Sequence, residues 1–190
     1  MTQISVIAIG ASLGGLRAMQ ILLRGLPPEL PVSVVVAQHR RADPESRLVS
    51  LLARECVLPL VEPEDKLPLE PGHVYLAPSD YHLLVERGTL ALSIDPPVQF
   101  ARPSIDVLFE SVADAYGPAA VGVMLTSSSA DGAAGAEAIK RAGGKMLVQD
   151  PETAESPIGP RAVLARTVVD GVLPIAGIAD ALLAMVRAAR

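Results

Sequence analysis

Tryptophan is missing from the chain, and phenylalanine and tyrosine bring the aromatic share to only 3%. A buried core therefore has to be assembled from Val, Ile, Leu and Ala. The same shortage removes the stacking platforms on which many nucleic-acid readers rely, and the formal net charge of −5 comes without any run of Lys or Arg. Nucleic-acid binding is set aside on both counts. A lone cysteine, Cys56, rules out an internal disulfide and a thiolate metal cluster. The segment around it, Leu51 to Val57, carries no catalytic signature, so Cys56 is expected to be a small buried hydrophobe. No apolar stretch reaches the ~18 residues of a membrane span. The N-terminus lacks the basic region and cleavage site of a signal peptide. Membrane insertion is not expected, and the protein reads as cytoplasmic.

What is present is aliphatic. Half of the 190 residues are hydrophobic, in short runs broken by Gly and Pro, as suits strands covered by helices on both faces. Ile4 to Ile9 reads as a central strand, followed by a glycine-rich turn and a helix carrying Leu16, Met19, Ile21, Leu22 and Leu23. Val32 to Ala37 is a second strand, and Asp43-Pro44-Glu45 has the form of a helix start. Between Pro59 and Pro97 short apolar runs alternate with turn residues. Leu83-Leu84-Val85 and Leu90-Ala91-Leu92, on either side of Arg87-Gly88, read as a β-hairpin inserted beside the main sheet. A helix from Ser104, a buried strand at 119–125, a helix at 131–142, a strand at 145–148 and a closing helix at 173–190 complete the pattern. The expectation is one α/β domain over 1–190, a doubly wound, mostly parallel sheet with a small antiparallel hairpin insertion.

Gly10-Ala11-Ser12-Leu13-Gly14 has the spacing G-x-S-x-G and lies between a strand and a helix. That tight turn presents a serine hydroxyl near free helix N–H groups, which can stabilise an oxyanion. The alternative is a phosphate-binding turn with Ser12 as an N-cap. The dinucleotide form of it fails, because Gln38-His39 stands where an acidic residue belongs. A serine nucleophile needs a base, and there are three histidines to choose from. His39 ends the second strand, at the carboxyl edge that Ser12 also occupies. His73 sits in a turn and reads as a surface residue, and His82 opens the hairpin. For the carboxylate that orients the base, Asp131 and Asp150 both follow strands at that edge, and spacing does not choose between them. Asp131 is equally suited to be the N-cap of its own helix.

Together these blocks resemble the catalytic domain of the CheB-type chemotaxis protein-glutamate methylesterases. The resemblance is carried by Ile7 to Gly15, Gln38-His39, Arg102 to Phe109, Leu125 to Gly135, and Gln149 to Glu155 with Pro160-Arg161-Ala162. It implies Ser12 as nucleophile, His39 as base and Asp131 as orienting carboxylate. It also implies hydrolysis of glutamate methyl esters, and deamidation of glutamines, on methyl-accepting chemotaxis receptors through an acyl-enzyme, with no metal or organic cofactor. Three departures stand out. Leu13 replaces the family's threonine, Ser127-Ser128-Ser129 replaces Gly-Met-Gly, and Ile158-Gly159-Pro160-Arg161 replaces Gly-Met-Pro-Arg. The serines put the shape of the 126–130 loop in question, because only glycine enters positive φ freely. The best-known family form carries an N-terminal receiver, whereas this sequence opens on the catalytic strand, as in a stand-alone version. Arg102 and Arg161 are the basic residues of the shared blocks and are candidates for facing acidic receptor sequence. Two alternatives differ in chemistry: an impaired family member serving as a signalling-partner binding module, and an esterase for another substrate.

Overall fold

Every residue of the first two strands, VIAIGA and SVVVAQ, is buried, because a parallel sheet covered on both faces leaves no side of a central strand in water. The computed structural model describes residues 3–41 and 47–188. In chain order the elements are β1 (Val6–Ala11), α1 (Gly15–Arg24), β2 (Ser33–Gln38), α2 (Arg47–Ala53), β3 (Leu60–Val61) and β4 (Val74–Leu76). They continue with β5 (His82–Glu86), β6 (Thr89–Ser93), α3 (Ile105–Tyr116), β7 (Ala120–Met124) and α4 (Ala133–Arg141). The last are β8 (Lys145–Gln149), α5 (Ile158–Arg166), β9 (Gly171–Leu173) and α6 (Ile175–Ala188).

Seven strands pair in the order β3-β4-β2-β1-β7-β8-β9, each pair parallel. The order steps outward from β1 in one direction and resumes from β7 in the other. The switch point therefore lies between β1 and β7, where the carboxyl ends of two neighbouring strands leave a crevice. The period of two divides the sheet's side chains between two cores. Ile7, Ile9, Val34, Val36, Val121 and Val123 pack with α1, α2 and α6. Val6, Ala8, Val35, Ala37, Met146 and Val148 pack with α3, α4, α5 and the β5–β6 hairpin.

Phe109 of α3 is fully buried in the second core. A Cβ built at Gly135 of α4 would stand 2.5 Å from the Phe109 Cβ, and one at Gly10 of β1 would stand 3.2 Å from its ring tip. The ring thus fills a slot between sheet and helix that has no room to collapse. Phe109→Ala should lower unfolding stability by about 3–5 kcal/mol in urea titration; a loss under about 1 kcal/mol would contradict this packing.

Most elements fall where the periodicity puts them, with four differences. The 59–97 region is not wholly an insertion, since β3 and β4 extend the main parallel sheet and only β5 and β6 form a separate pair. Two- and three-residue strands are too short to show a period. The strand β9 and the helix α5 are also additional, and α5 carries Pro160 in its first turn, where proline is tolerated. Cys56 is half-buried against the first core rather than fully enclosed. Burial still pushes its thiol above the ordinary range, against a backbone hydrogen bond from Leu58. The helix start read at Asp43-Pro44-Glu45 lies outside the described residues. No helix among the described residues is long and apolar enough to cross a membrane.

Candidate active site

Ser12 leaves the carboxyl end of β1 in the tight turn its motif requires. Gly14, the N-cap of α1, has φ 79°, a left-handed conformation that glycine adopts without the Cβ clash. The turn is held from both sides. Ser12 N–H donates to the Thr126 carbonyl at 3.0 Å, Gly15 N–H to the Ser12 carbonyl at 2.8 Å, and the Thr126 hydroxyl to the Leu13 carbonyl at 2.8 Å. The N-cap of α1, Gly14, has no side chain to offer the donors of its first turn.

His39 follows β2, the neighbour of β1. Its N–H donates to the Ala11 carbonyl at 3.0 Å, which places the two loops side by side. Gln38 links them again, because its buried Nε2 donates to the Ser12 carbonyl at 2.8 Å and to the His39 carbonyl at 2.9 Å. His39 Nε2 lies 2.6 Å from Asp131 Oδ2, with the imidazole 14% exposed and the carboxylate fully buried. With Nε2 donating to the carboxylate, Nδ1 is the nitrogen left to accept a proton.

Asp131 does not cap its own helix; Gly132 holds that position and makes no side-chain cap bond. Its carboxylate caps α3 instead, accepting the N–H of Ile105 at 2.7 Å, the N–H of Asp106 at 3.0 Å and the Ser104 hydroxyl at 2.9 Å. Asp106 returns the arrangement by accepting the N–H groups of Gly132 and Gly135 of α4, each at 2.8 Å. Two buried carboxylates thus cap each other's helices, where the helix dipoles favour negative charge. Their titration diverges. Burial raises Asp131, but the hydrogen bonds from His39, Asp106 and Ile105 outweigh it and hold the carboxyl below the ordinary range. Asp106 is pushed above that range, first by burial and then by the charge of Asp131, despite its bonds from Gly135 and Gly132.

This pairing has a measurable consequence. A carboxyl with a raised folded pKa loses stability as pH rises from its unfolded pKa through its folded one. Asp106→Asn removes that loss yet keeps an oxygen for Gly132 and Gly135. In urea unfolding, the stability of Asp106→Asn relative to the parent should therefore rise between about pH 4 and pH 7. A flat or falling difference would contradict the repulsive pairing.

The other candidates have different work. Asp150 accepts the Glu152 N–H at 3.0 Å and caps a short 3₁₀ turn at Pro151–Thr153. His73 is partly exposed and stacks on Tyr75 with ring centroids 6.0 Å apart. His82 is buried and bridges two segments, with Nδ1 receiving the Ser104 N–H and Nε2 facing the Pro96 carbonyl, each at 3.2 Å. Arg102 is committed to Asp80 and to the carbonyls of Ile94 and Asp95, and Arg161 pairs with Glu152. Gln38 and Asp106 do not stand out residue by residue, although both lie in the blocks that carry the family resemblance. A polar residue ending a buried strand was the available signal for Gln38. For Asp106 there was none beyond an acidic first turn.

The three departures have a structural account. Ser127, Ser128 and Ser129 all avoid positive φ, and hydroxyls shape the loop. Ser129 N–H donates to Ser127 Oγ at 3.2 Å, and Asp131 N–H donates to Ser129 Oγ at 3.1 Å. A Cβ built at Gly159 would stand 2.6 Å from the Ser127 Cβ. A serine at 127 thus requires a residue without a side chain at 159, and two of the departures are one packing solution. Leu13 and Ile158, at 54% and 52% exposed, present apolar side chains outward. Ser12, Leu13 and Gln38 line an open cleft, and His39, Phe100, Arg102 and Ser129 line another. Among the described residues no cluster of three or more His, Cys, Asp or Glu is arranged to hold a metal ion.

Comparison with known proteins gives a consistent result. The family model described as CheB methylesterase matches residues 7–182. A Leptospira interrogans protein is 42% identical over 175 residues, covering 92% of this chain and 91% of that one. A protein-glutamate methylesterase/protein-glutamine glutaminase of Anaeromyxobacter dehalogenans is 42% identical over 185 residues, covering 97% of this chain and 54% of its own length. The chain thus spans nearly all of the first relative and about half of the second. The crystal structure of the Thermotoga maritima CheB methylesterase catalytic domain superposes with a TM-score of 0.91 at 30% identity, covering 97% of this chain and all of that one.

Proposed function

The chain belongs to the CheB methylesterase family, and we propose that it is a protein-glutamate methylesterase and glutaminase whose reacting groups are Ser12, His39 and Asp131. The observation that carries this reading is the 2.6 Å pair that His39 makes with the fully buried Asp131, set beside the Ser12 turn at the sheet's switch point.

In this reading Ser12 Oγ attacks the carbonyl carbon of a glutamate methyl ester while its proton passes to His39 Nδ1. The developing oxyanion is met by backbone N–H groups at the uncapped start of α1. Asp131 holds the ring orientation and stabilises the imidazolium. The tetrahedral intermediate collapses, the C–O bond to the methoxy group breaks, and that oxygen leaves as methanol with the proton from His39. Water then attacks the acyl-serine with His39 as base, releasing the glutamate carboxylate and restoring the serine. A glutamine side chain follows the same course and loses ammonia. The substrate of this reading is a methyl-accepting chemotaxis receptor, and the place of action is the cytoplasm.

The test is methanol release from methyl-labelled receptor, with and without a serine-directed fluorophosphonate. Expected are release by the untreated protein, its loss after treatment, and a single adduct mapped by mass spectrometry to Ser12. Folded protein that is neither labelled nor able to release methanol would overturn the assignment.

A further inference from the structure

We propose that Phe100 is a specificity residue, an apolar anchor for a side chain that the methylated protein substrate presents beside its reacting glutamate. The inference rests on the methylesterase reading and deepens it.

The chain has two phenylalanines, and their placements are opposite. Phe109 is fully buried, whereas Phe100 is exposed at 104%. The backbone beneath it is also unusual. Gln99 and Phe100 have φ of 46° and 65°, and Val98 and Ala101 exchange both backbone hydrogen bonds at 3.1 and 2.9 Å. That is a two-residue hairpin turn with both central residues left-handed, a shape for which Asn-Gly is the favoured pair. A bulky side chain there is disfavoured by its own Cβ. The tip is nevertheless pinned. Gln99 Nε2 donates to Asp106 Oδ2 at 2.7 Å, and Arg102 grips Asp80 Oδ1 at 2.6 Å and the Ile94 carbonyl at 2.7 Å. An aromatic ring held in water on an unfavourable, anchored turn is accounted for by a partner that covers it.

Its position says which partner. Phe100 lines the same cleft as His39 and Ser129, a space of about 550 Å³. A polypeptide whose glutamate ester is held between the Ser12 turn and His39 continues past the reacting groups, and on the His39 side it meets this cleft, whereas a small free ester ends at the reacting groups. A further exposed apolar residue, Leu13, lines the neighbouring cleft with Ser12. A surface segment of a protein that carries apolar side chains close to the methylated glutamate suits Phe100 on the His39 side and Leu13 on the Ser12 side. The aromatic ring supplies much contact area with little side-chain freedom to lose.

The experiment compares kcat/KM on methylated receptor with kcat/KM on a small methyl ester for the parent, Phe100→Gly and Phe100→Leu. Glycine suits the left-handed turn, so Phe100→Gly should be at least as thermally stable as the parent. Its receptor-to-small-ester ratio should fall about tenfold to a hundredfold, mainly through KM, and Phe100→Leu should recover part of it. A ratio unmoved in Phe100→Gly, whether both activities persist or fall together, would overturn the anchor. So would a loss seen with receptor in membranes but absent with a soluble methylated receptor fragment, which would place lipid rather than protein on the ring. A parent protein that releases no methanol from receptor would overturn the methylesterase reading and the anchor with it. Parent release with an unmoved ratio would overturn the anchor alone.

Discussion

Ser12→Ala should abolish methanol release, by about 10⁴- to 10⁶-fold in kcat, with the melting temperature almost unchanged. The two halves of this expectation have separate causes. Loss of the nucleophile removes the acyl-enzyme path, and what persists comes only from binding and the oxyanion donors. Stability is spared because the hydrogen bonds of Ser12 are made by its backbone: its N–H to Thr126, and its carbonyl from Gly15 and Gln38. An alanine keeps all three. Stopped-assay methanol measurements and a thermal melt on the same preparation check both halves. Residual turnover above about one part in a hundred would remove Ser12 from the nucleophile's role.

Asp131→Asn should behave differently, losing both rate and stability. The rate falls by about 10³- to 10⁴-fold because an amide nitrogen facing His39 Nε2 no longer fixes the tautomer or stabilises the imidazolium. The stability falls because the carboxylate also accepts from Ile105, Asp106 and Ser104. An asparagine can satisfy the two donors at Oδ1, but at Oδ2 its NH₂ would meet the Ile105 N–H. Asp131→Ala strands all of these donors in a site without solvent, and a cost of about 3–5 kcal/mol is expected. Urea unfolding and methanol release measured across both variants distinguish the contributions. Equal stability in parent and Asp131→Ala would refute the capping role, and rate loss in Asp131→Asn below about tenfold would refute the orienting one.

Ser12→Ala and Asp131→Asn therefore separate two kinds of residue that share one site. In the proposed reading Ser12 belongs to the chemistry and is held by others, whereas Asp131, which accepts from the start of α3, is also part of the scaffold. Gln38 stands on the scaffold side. Its amide joins the Ser12 and His39 carbonyls, so neither loop moves without the other.

Much of this was legible in one dimension. The apolar runs of β1 and β2, the spacing G-x-S-x-G and the Leu16–Leu23 helix are local patterns, encoded within a few residues, and they fixed the α/β class and the placement of Ser12. The histidine count and the strand end before His39 narrowed the base. The short edge strands β3, β4 and β9 were not legible, because their two or three residues make no period and their pairing depends on strands elsewhere in the chain.

Composition and local pattern by themselves determined a doubly wound, aliphatic α/β protein with a serine at a strand–helix turn and two acidic residues suited to the same edge. Spacing left open which carboxylate meets His39 and the resemblance pointed to Asp131, but the contact itself is made only by the tertiary structure. Asp131 reaches across 92 residues to the imidazole and across 25 and 26 to the backbone of α3, while Asp150 is taken up by the turn that follows it. Local propensity treats the two as equivalent helix-start residues. They differ because α3 packs against α4 closely enough for each helix to present its unpaired N–H groups to the other's carboxylate, and a buried donor must be satisfied by whatever the fold brings near it.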